Sequence, residues 1–114
     1  RPNIHIKDMV DVYRHFLKKT KIPSGCFNAG FENISILEIA QLVKKKVGCE
    51  IIIQDSNDPR SYRQDSTKLI NTGFAPKYCV QYAIQEIIEQ YKNGNIVETD
   101  SCYTVKWMKS RRIN

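Results

Sequence analysis

The residues from Ser35 to Gly48 constrain the fold most, because they contain both a start and a stop signal for one helix. Ser35 at the N-cap and Glu38 three residues later form a capping box, which satisfies two backbone amides of the first turn. Gly48 follows three lysines at the other end, where a left-handed residue closes a helix. The apolar positions between them recur at helical spacing: Ile36, Ile39, Ala40, Val43 and Val47. This segment predicts an amphipathic helix whose apolar face needs a second element to cover it.

Two further long helices are predicted from the same kind of pattern. Asp8 is placed to cap the first, which ends at the lysine-rich turn before Pro23. The other begins after Pro76 and ends at Asn93 and Gly94, with polar side chains opposite its apolar stripe. That stripe consists of Val80, Ala83, Ile84, Ile87, Ile88 and Tyr91.

Three short segments between the helices predict strands. Ile4 to Ile6 alternates, Cys26 to Gly30 is short and bounded by glycine, and Glu50 to Gln54 is rich in β-branched residues. A polar loop from Asp55 to Arg63 follows the last of them. Asp65 then caps a short helix through Ile70. The order of elements predicts an α/β fold of short strands with about four helices.

Composition limits the classes of protein that the chain can belong to. It has 114 residues, a size that suits one domain, and a formal net charge of +6. The basic clusters at Lys18 to Lys21 and Lys44 to Lys46 fall at helix ends, where cations complement the helix dipole, so we expect no nucleic-acid partner. The longest apolar run is three isoleucines from Ile51, so we expect no membrane partner and a cytoplasmic location.

The four cysteines do not predict a metal site. Cys26, Cys49, Cys79 and Cys102 are each more than twenty residues from the next, whereas zinc ligands usually come in close pairs. We therefore expect reduced and mostly buried thiols.

Several motifs, taken in order, resemble the C-terminal part of extended short-chain dehydrogenases, the NAD-dependent epimerases and dehydratases of nucleotide sugars. Residues 1–8 resemble the segment R-x-x-x-H-[VI]-x-D of that family, and Phe27 to Gly30 is similar to its strand end Y-N-[VI]-G. Residues 58–65 resemble D-x-R-x-Y-x-x-D, and the stretch from Lys68 to Pro76 resembles K-x-x-x-x-L-G-[FW]-x-P. The resemblance covers residues 1–92, the expected substrate-binding lobe, and leaves residues 93–114 as a tail.

The resemblance implies that this chain is not catalytically competent alone. The family's glycine-rich loop and its Tyr-x-x-x-Lys pair are absent from the sequence, so NAD or NADP would bind to an N-terminal Rossmann half that this chain lacks. We expect the chain to pair with that missing half or to self-associate, because the strand at Phe27 would otherwise expose an edge.

The same resemblance implies a substrate, a nucleoside diphosphate sugar, and a set of residues that contact it. Arginine suits a diphosphate because its planar fork donates paired hydrogen bonds to phosphate oxygens. Arg60 is the first candidate, Arg1 the second and Arg63 a weaker one. Tyr62 packs on the nucleoside or positions the loop, and Asn28 either satisfies backbone groups or lines the site.

Other polar residues have structural interpretations, and two other functions stay open. Asp8 and Asp65 are expected to be helix caps, and His5 a structural hydrogen-bonding residue. The first alternative function is a stand-alone module that binds or regulates through a nucleotide sugar without chemistry. The second is a basic nucleic-acid-binding domain, for which the charge clusters are the argument.

Overall fold

The computed structural model describes residues 1–19, 21–55 and 61–111 of the chain. Five helices and one two-stranded antiparallel sheet form this part of the protein. The strands are β1 (Pro2–Asn3) and β2 (Glu32–Asn33), and Pro2 is paired with Asn33. The helices are α1 (Ile6–Lys18), α2 (Ile36–Val47), α3 (Thr67–Ile70), α4 (Val80–Lys92) and α5 (Thr104–Ser110). The protein is thus a small α/β protein that is mostly helical.

Helix α2 forms as its sequence predicts. The Ser35 side chain accepts a hydrogen bond from the Glu38 amide, and the Glu38 side chain accepts one from the Ser35 amide, which completes the capping box. Gly48 ends the helix at φ 74°, a left-handed conformation that costs glycine little. Helix α4 lies against α2, with Ile84 buried.

The first strand and the first cap were predicted at the wrong residues. Ile4 to Ile6 is not a strand, because the helix already begins at Ile6 and the sheet uses the residues before it. His5 is the N-cap, since its Nδ1 accepts a hydrogen bond from the Lys7 amide at 3.1 Å. Asp8 lies within the first turn and is fully buried, so its carboxylate serves another part of the chain.

The other two predicted strands are also wrong. Residues 26–30 form no ladder, because the N–H and the carbonyl of Gly30 are both bonded to the Ser66 hydroxyl, at 3.0 and 2.9 Å. Residues 50–54 form no strand either, and the side chains of Ile52 and Ile53 are about 80% exposed. The one sheet of the described residues pairs β1 with β2, and residues 50–54 do not join it.

Two smaller predictions are corrected in detail. The short helix predicted from Asp65 to Ile70 begins at Thr67 with Ser66 at its N-cap, although Asp65 does bind its first turn by accepting from the Thr67 amide at 2.8 Å. All four cysteines are exposed and unpaired thiols, so the expectation that they are mostly buried is wrong.

The core of the protein is small. Val12, Leu69 and Phe74 are its buried centre, where α1, α3 and the turn after α3 meet. Partly buried side chains surround them: Ile4, Phe16, Phe27, Ala29 and Phe31. The accessible surface of the chain is 9600 Å², against ~6,500 Å² for a compact monomer of 13.3 kDa. Much apolar surface that could be buried is therefore still open to water.

In the tail, a 3₁₀ turn at Asp100–Cys102 leads into α5. These two elements pack on each other. None of the helices in the described part of the chain is both long and apolar enough to cross a membrane.

Candidate ligand-binding site

The segment 61–66 is fixed against the sheet and carries two of the candidate site residues. The Asn33 side chain bonds the backbone of Gln64 twice, donating to its carbonyl at 3.0 Å and accepting from its amide at 2.9 Å. The Asn33 side chain therefore makes the pair of backbone hydrogen bonds that another strand residue would make, and it holds the loop beside the sheet.

Ser66 holds the other end of this segment. Its buried hydroxyl accepts from the Gly30 amide and donates to the Gly30 carbonyl, so both backbone groups are satisfied by one side chain. A Cβ at position 30 would lie 2.9 Å from the Cβ of Pro2 and 3.1 Å from Oε1 of Gln64. Only glycine permits this close approach of the loop to β1.

The clamps bring Arg1 and Tyr62 together. The Arg1 guanidinium lies over the Tyr62 ring, 5.1 Å from its centroid, and the Tyr62 side chain is about half exposed. The backbone of Arg1 extends the sheet, because Ile34 donates to its carbonyl at 3.1 Å. The guanidinium is thereby held between the sheet and the loop, with a cation–π contact that orients it.

Arg63 follows on the same loop and is exposed. The hydrogen bonds from Ser35 are the main reason that the pKa of Glu38 is below its ordinary value, and the positive charge of Arg63 lowers it further. Arg63 is therefore near the N-terminus of α2, on the side of the loop where the capping box lies.

The structure places the remaining predicted site residues as follows. Asn28 is exposed, and its side-chain amide donates to the Asp65 carbonyl at 3.1 Å, so it serves the backbone of the same loop. Its alternative role in lining the site stays a prediction. Arg60, the first candidate for the diphosphate, lies outside the described residues.

An apolar groove borders the loop. It has a volume of about 590 Å³ and runs from Gln64 along α1, where Met9, Tyr13 and Phe16 line it together with Phe27. A groove of this size is in the range of small-molecule sites, but its walls offer few polar groups that could fix a ligand's orientation.

A second cluster of polar and aromatic residues joins the start of α1 to α4. His5 is buried, and its Nε2 lies 3.0 Å from Oε2 of Glu86, whose other oxygen bonds Lys7. The rings of Tyr78 and Tyr82 pack on His5, with centroid distances of 4.9 and 5.6 Å. The bond to Lys7, followed by the one to His5, lowers the pKa of Glu86.

This second cluster is a structural one. Since Nδ1 of His5 accepts from the Lys7 amide, the neutral ring carries its hydrogen on Nε2 and donates it to Glu86. Both ring nitrogens are thus engaged, which confirms the structural interpretation of His5. The sequence pattern marked neither Glu86 nor Tyr82, because each is an ordinary polar position on the amphipathic α4.

No metal site is present among the described residues, where no three His, Cys, Asp or Glu side chains gather. No family model, curated protein or solved structure matches the chain.

Proposed function

We propose that this chain is the nucleotide-sugar-binding portion of an NAD-dependent epimerase or dehydratase and is not catalytically competent alone. The observation that carries the proposal is the contact of the Arg1 guanidinium with Tyr62, on the clamped loop that also carries Arg63. These three positions belong to two motifs that are far apart in the sequence, and both motifs resemble the same family.

The chemistry of the loop suits a nucleoside diphosphate. Two guanidinium groups offer charge and forked donors for the two negative charges of a diphosphate. The exposed Tyr62 ring beside them offers an aromatic face to a base, since such stacking is favourable for every base. Arg60, two residues before Tyr62, would add a third guanidinium according to the sequence motif.

The proposal requires a second protein part that completes this site. The exposed apolar side chains of α1 support the existence of such a part. Four large apolar side chains lie along one stripe of the helix, at Ile6, Val10, Tyr13 and Leu17, and each is at least half exposed. Monomeric proteins rarely leave such a continuous apolar stripe in water. We propose that an N-terminal Rossmann half covers it in the whole enzyme, and that a second copy covers it when that half is missing.

These residues suggest which part of the whole enzyme binds the substrate and which binds the cofactor. This chain would hold the diphosphate and the nucleoside, whereas NAD or NADP and the acid–base pair would belong to the other half. Sugar specificity and the type of reaction would depend on that half as well.

Calorimetric titration of the full chain with UDP-, GDP-, CDP- and dTDP-sugars tests the proposal. We expect one of the four to bind, and we expect Arg60→Ala, Arg63→Ala and Tyr62→Ala each to weaken that binding about tenfold or more. Arg111→Ala is the matched control, because Arg111 is an exposed arginine over an aromatic ring, Trp107, on the distant α5.

Two outcomes would contradict the proposal. One is the absence of binding by all four nucleotide sugars to the folded chain. The other is an equal loss of affinity in the control and in the loop variants, because binding would then follow net charge alone.

A further inference from the structure

A second pocket lies at the C-terminal end of α1 and meets the apolar groove at Ile22 and Pro23. It is open, has a volume of about 550 Å³, and lies between the end of α1 and the turn that follows α3. Lysines form one wall, at Lys18, Lys19 and Lys21. Asn71 and Thr72 lie across from them, and Ile22 adds an apolar surface.

The polar wall of this pocket is ordered by a chain of hydrogen bonds. The Lys19 ammonium donates to the Thr72 carbonyl at 3.0 Å. The Thr72 hydroxyl donates to the Leu69 carbonyl at 2.6 Å and lies 2.8 Å from Nε2 of His15. Leu69 is completely buried, so the turn that carries Asn71 and Thr72 is tied directly to the core.

The positive charge of the pocket is larger than the charge that compensates the dipole of α1 at its C-terminus. The C-terminus of a helix carries about half a negative charge, so one lysine is enough to compensate α1. Three lysines line the pocket and no carboxylate does, which leaves an excess of about two positive charges. Within the described part of the chain, no hydrogen bond or ion pair engages Lys18 or Lys21. The pKa of the Asp11 carboxylate is lowered mainly by its hydrogen bond from Lys77, and the charge of Lys18 is a minor cause after that of Arg14.

We infer that this pocket binds the dianionic phosphate of a small phosphate monoester. A phosphate monoester carries about −1.5 to −2 charges at pH 7, which matches the excess. The volume fits a small molecule, and Ile22 and Pro23 can contact the apolar part of such an ester. A single-stranded nucleic acid is the less favoured ligand, because no aromatic side chain lines the pocket for bases to stack on.

This inference is independent of the proposed nucleotide-sugar site. The pocket shares Ile22 and Pro23 with the apolar groove, but it shares no residue with the loop 61–66 or with Arg1. A failure at either site can therefore be distinguished by the variants that affect it.

Amide chemical-shift mapping of the full chain with phenyl phosphate as the probe tests the inference. We expect saturable shifts at the amides of Lys19, Asn71 and Thr72, and no such shifts with benzyl alcohol, which has the ring without the phosphate. Inorganic phosphate should shift the same amides more weakly, since it lacks the apolar group.

Matched double variants decide whether the pocket or the net charge is responsible. Lys18→Gln with Lys21→Gln should weaken phenyl phosphate about tenfold. Lys44→Gln with Lys45→Gln removes the same charge from the end of α2 and should change affinity less than about twofold.

Three results would overturn the inference. They are no saturable shifts around the pocket, an equal loss in both double variants, and tighter binding of a single-stranded oligonucleotide than of phenyl phosphate at the same amides. The last result would assign the lysines to a nucleic acid instead.

Discussion

The buried carboxylate of Asp8 accepts a hydrogen bond from the backbone amide of Lys77, which is 69 residues further along the chain. Its second oxygen accepts from the amide of Tyr78 at 3.0 Å. One side chain in the first turn of α1 therefore holds the segment that leads into α4. These bonds join the start of α1 to the residues just before α4.

Asp8→Asn should destabilise the protein by about 2 kcal/mol. The carboxylate has two acceptor oxygens for the two backbone N–H groups, whereas the amide of asparagine has only one. Urea unfolding followed by circular dichroism measures this loss. Asp100→Asn is the control, since Asp100 pairs with Lys106 at the surface and should cost well under 1 kcal/mol. Equal losses in the two variants would show that Asp8 is no special anchor.

Ser66→Ala should cost about 1–3 kcal/mol, because it leaves both the N–H and the carbonyl of Gly30 buried without a partner. The Gly30 amide should also exchange its hydrogen much faster in the variant. Ser110→Ala serves as the control, since the Ser110 hydroxyl bonds the Trp107 carbonyl at an exposed position. Unchanged exchange at Gly30 would contradict the clamp.

Acidification should weaken the link between α1 and α4 through Glu86. Its bonds to Lys7 and His5 hold its pKa below the ordinary value of about 4.5. A lowered pKa in the folded state means that the contribution of Glu86 is complete above about pH 4.5 and is lost as the pH falls through the lower folded value.

Glu86→Gln should therefore be less stable than the parent at pH 7, and the difference should shrink between pH 5 and the acid limit of folding. Free energies of unfolding measured across this range check the effect. Glu89→Gln, an exposed change on the same helix, should show no such trend. A difference that does not vary with pH would mean that Glu86 acts by packing alone.

The apolar stripe of α1 should make the isolated chain self-associate. Tyr13→Lys with Leu17→Lys should move the sedimentation coefficient toward that of the monomer, because two charges would have to be buried in the contact. Ile52→Lys with Ile53→Lys changes equally exposed isoleucines away from α1 and should leave association unchanged.

A parent chain that sediments as a single monomeric species and unfolds in one cooperative step would count against any partner for this stripe. It would also weaken the proposal that a second half is missing. Binding of the nucleotide sugar would still be tested separately by the loop variants.

The sequence predicted the helices because helix signals are local. The capping box at Ser35, the glycine at Gly48 and the stripe of α4 each depend on residues within four positions of one another, and all three form as predicted. The lysines at the ends of α1 and α2 follow the same local rule.

The strands were mispredicted because a strand needs a partner that local pattern does not reveal. The β-branched run at Ile51 has strand propensity, yet none of the described residues forms a strand beside it. At Gly30, the Ser66 hydroxyl takes the backbone bonds that a strand would have used.

By itself, the sequence determined helices α2 and α4 with their ends, the approximate places of α1 and α3, and the excess of positive charge. Only the tertiary structure decided that Arg1 lies over Tyr62, that Asp8 anchors α4, and that one lysine cluster lines a pocket. The physical reason is distance along the chain. A helix is stabilised by hydrogen bonds between residues close in sequence. Each of these contacts instead closes a loop of many residues, and only the complete set of tertiary contacts offsets the entropy lost in closing it.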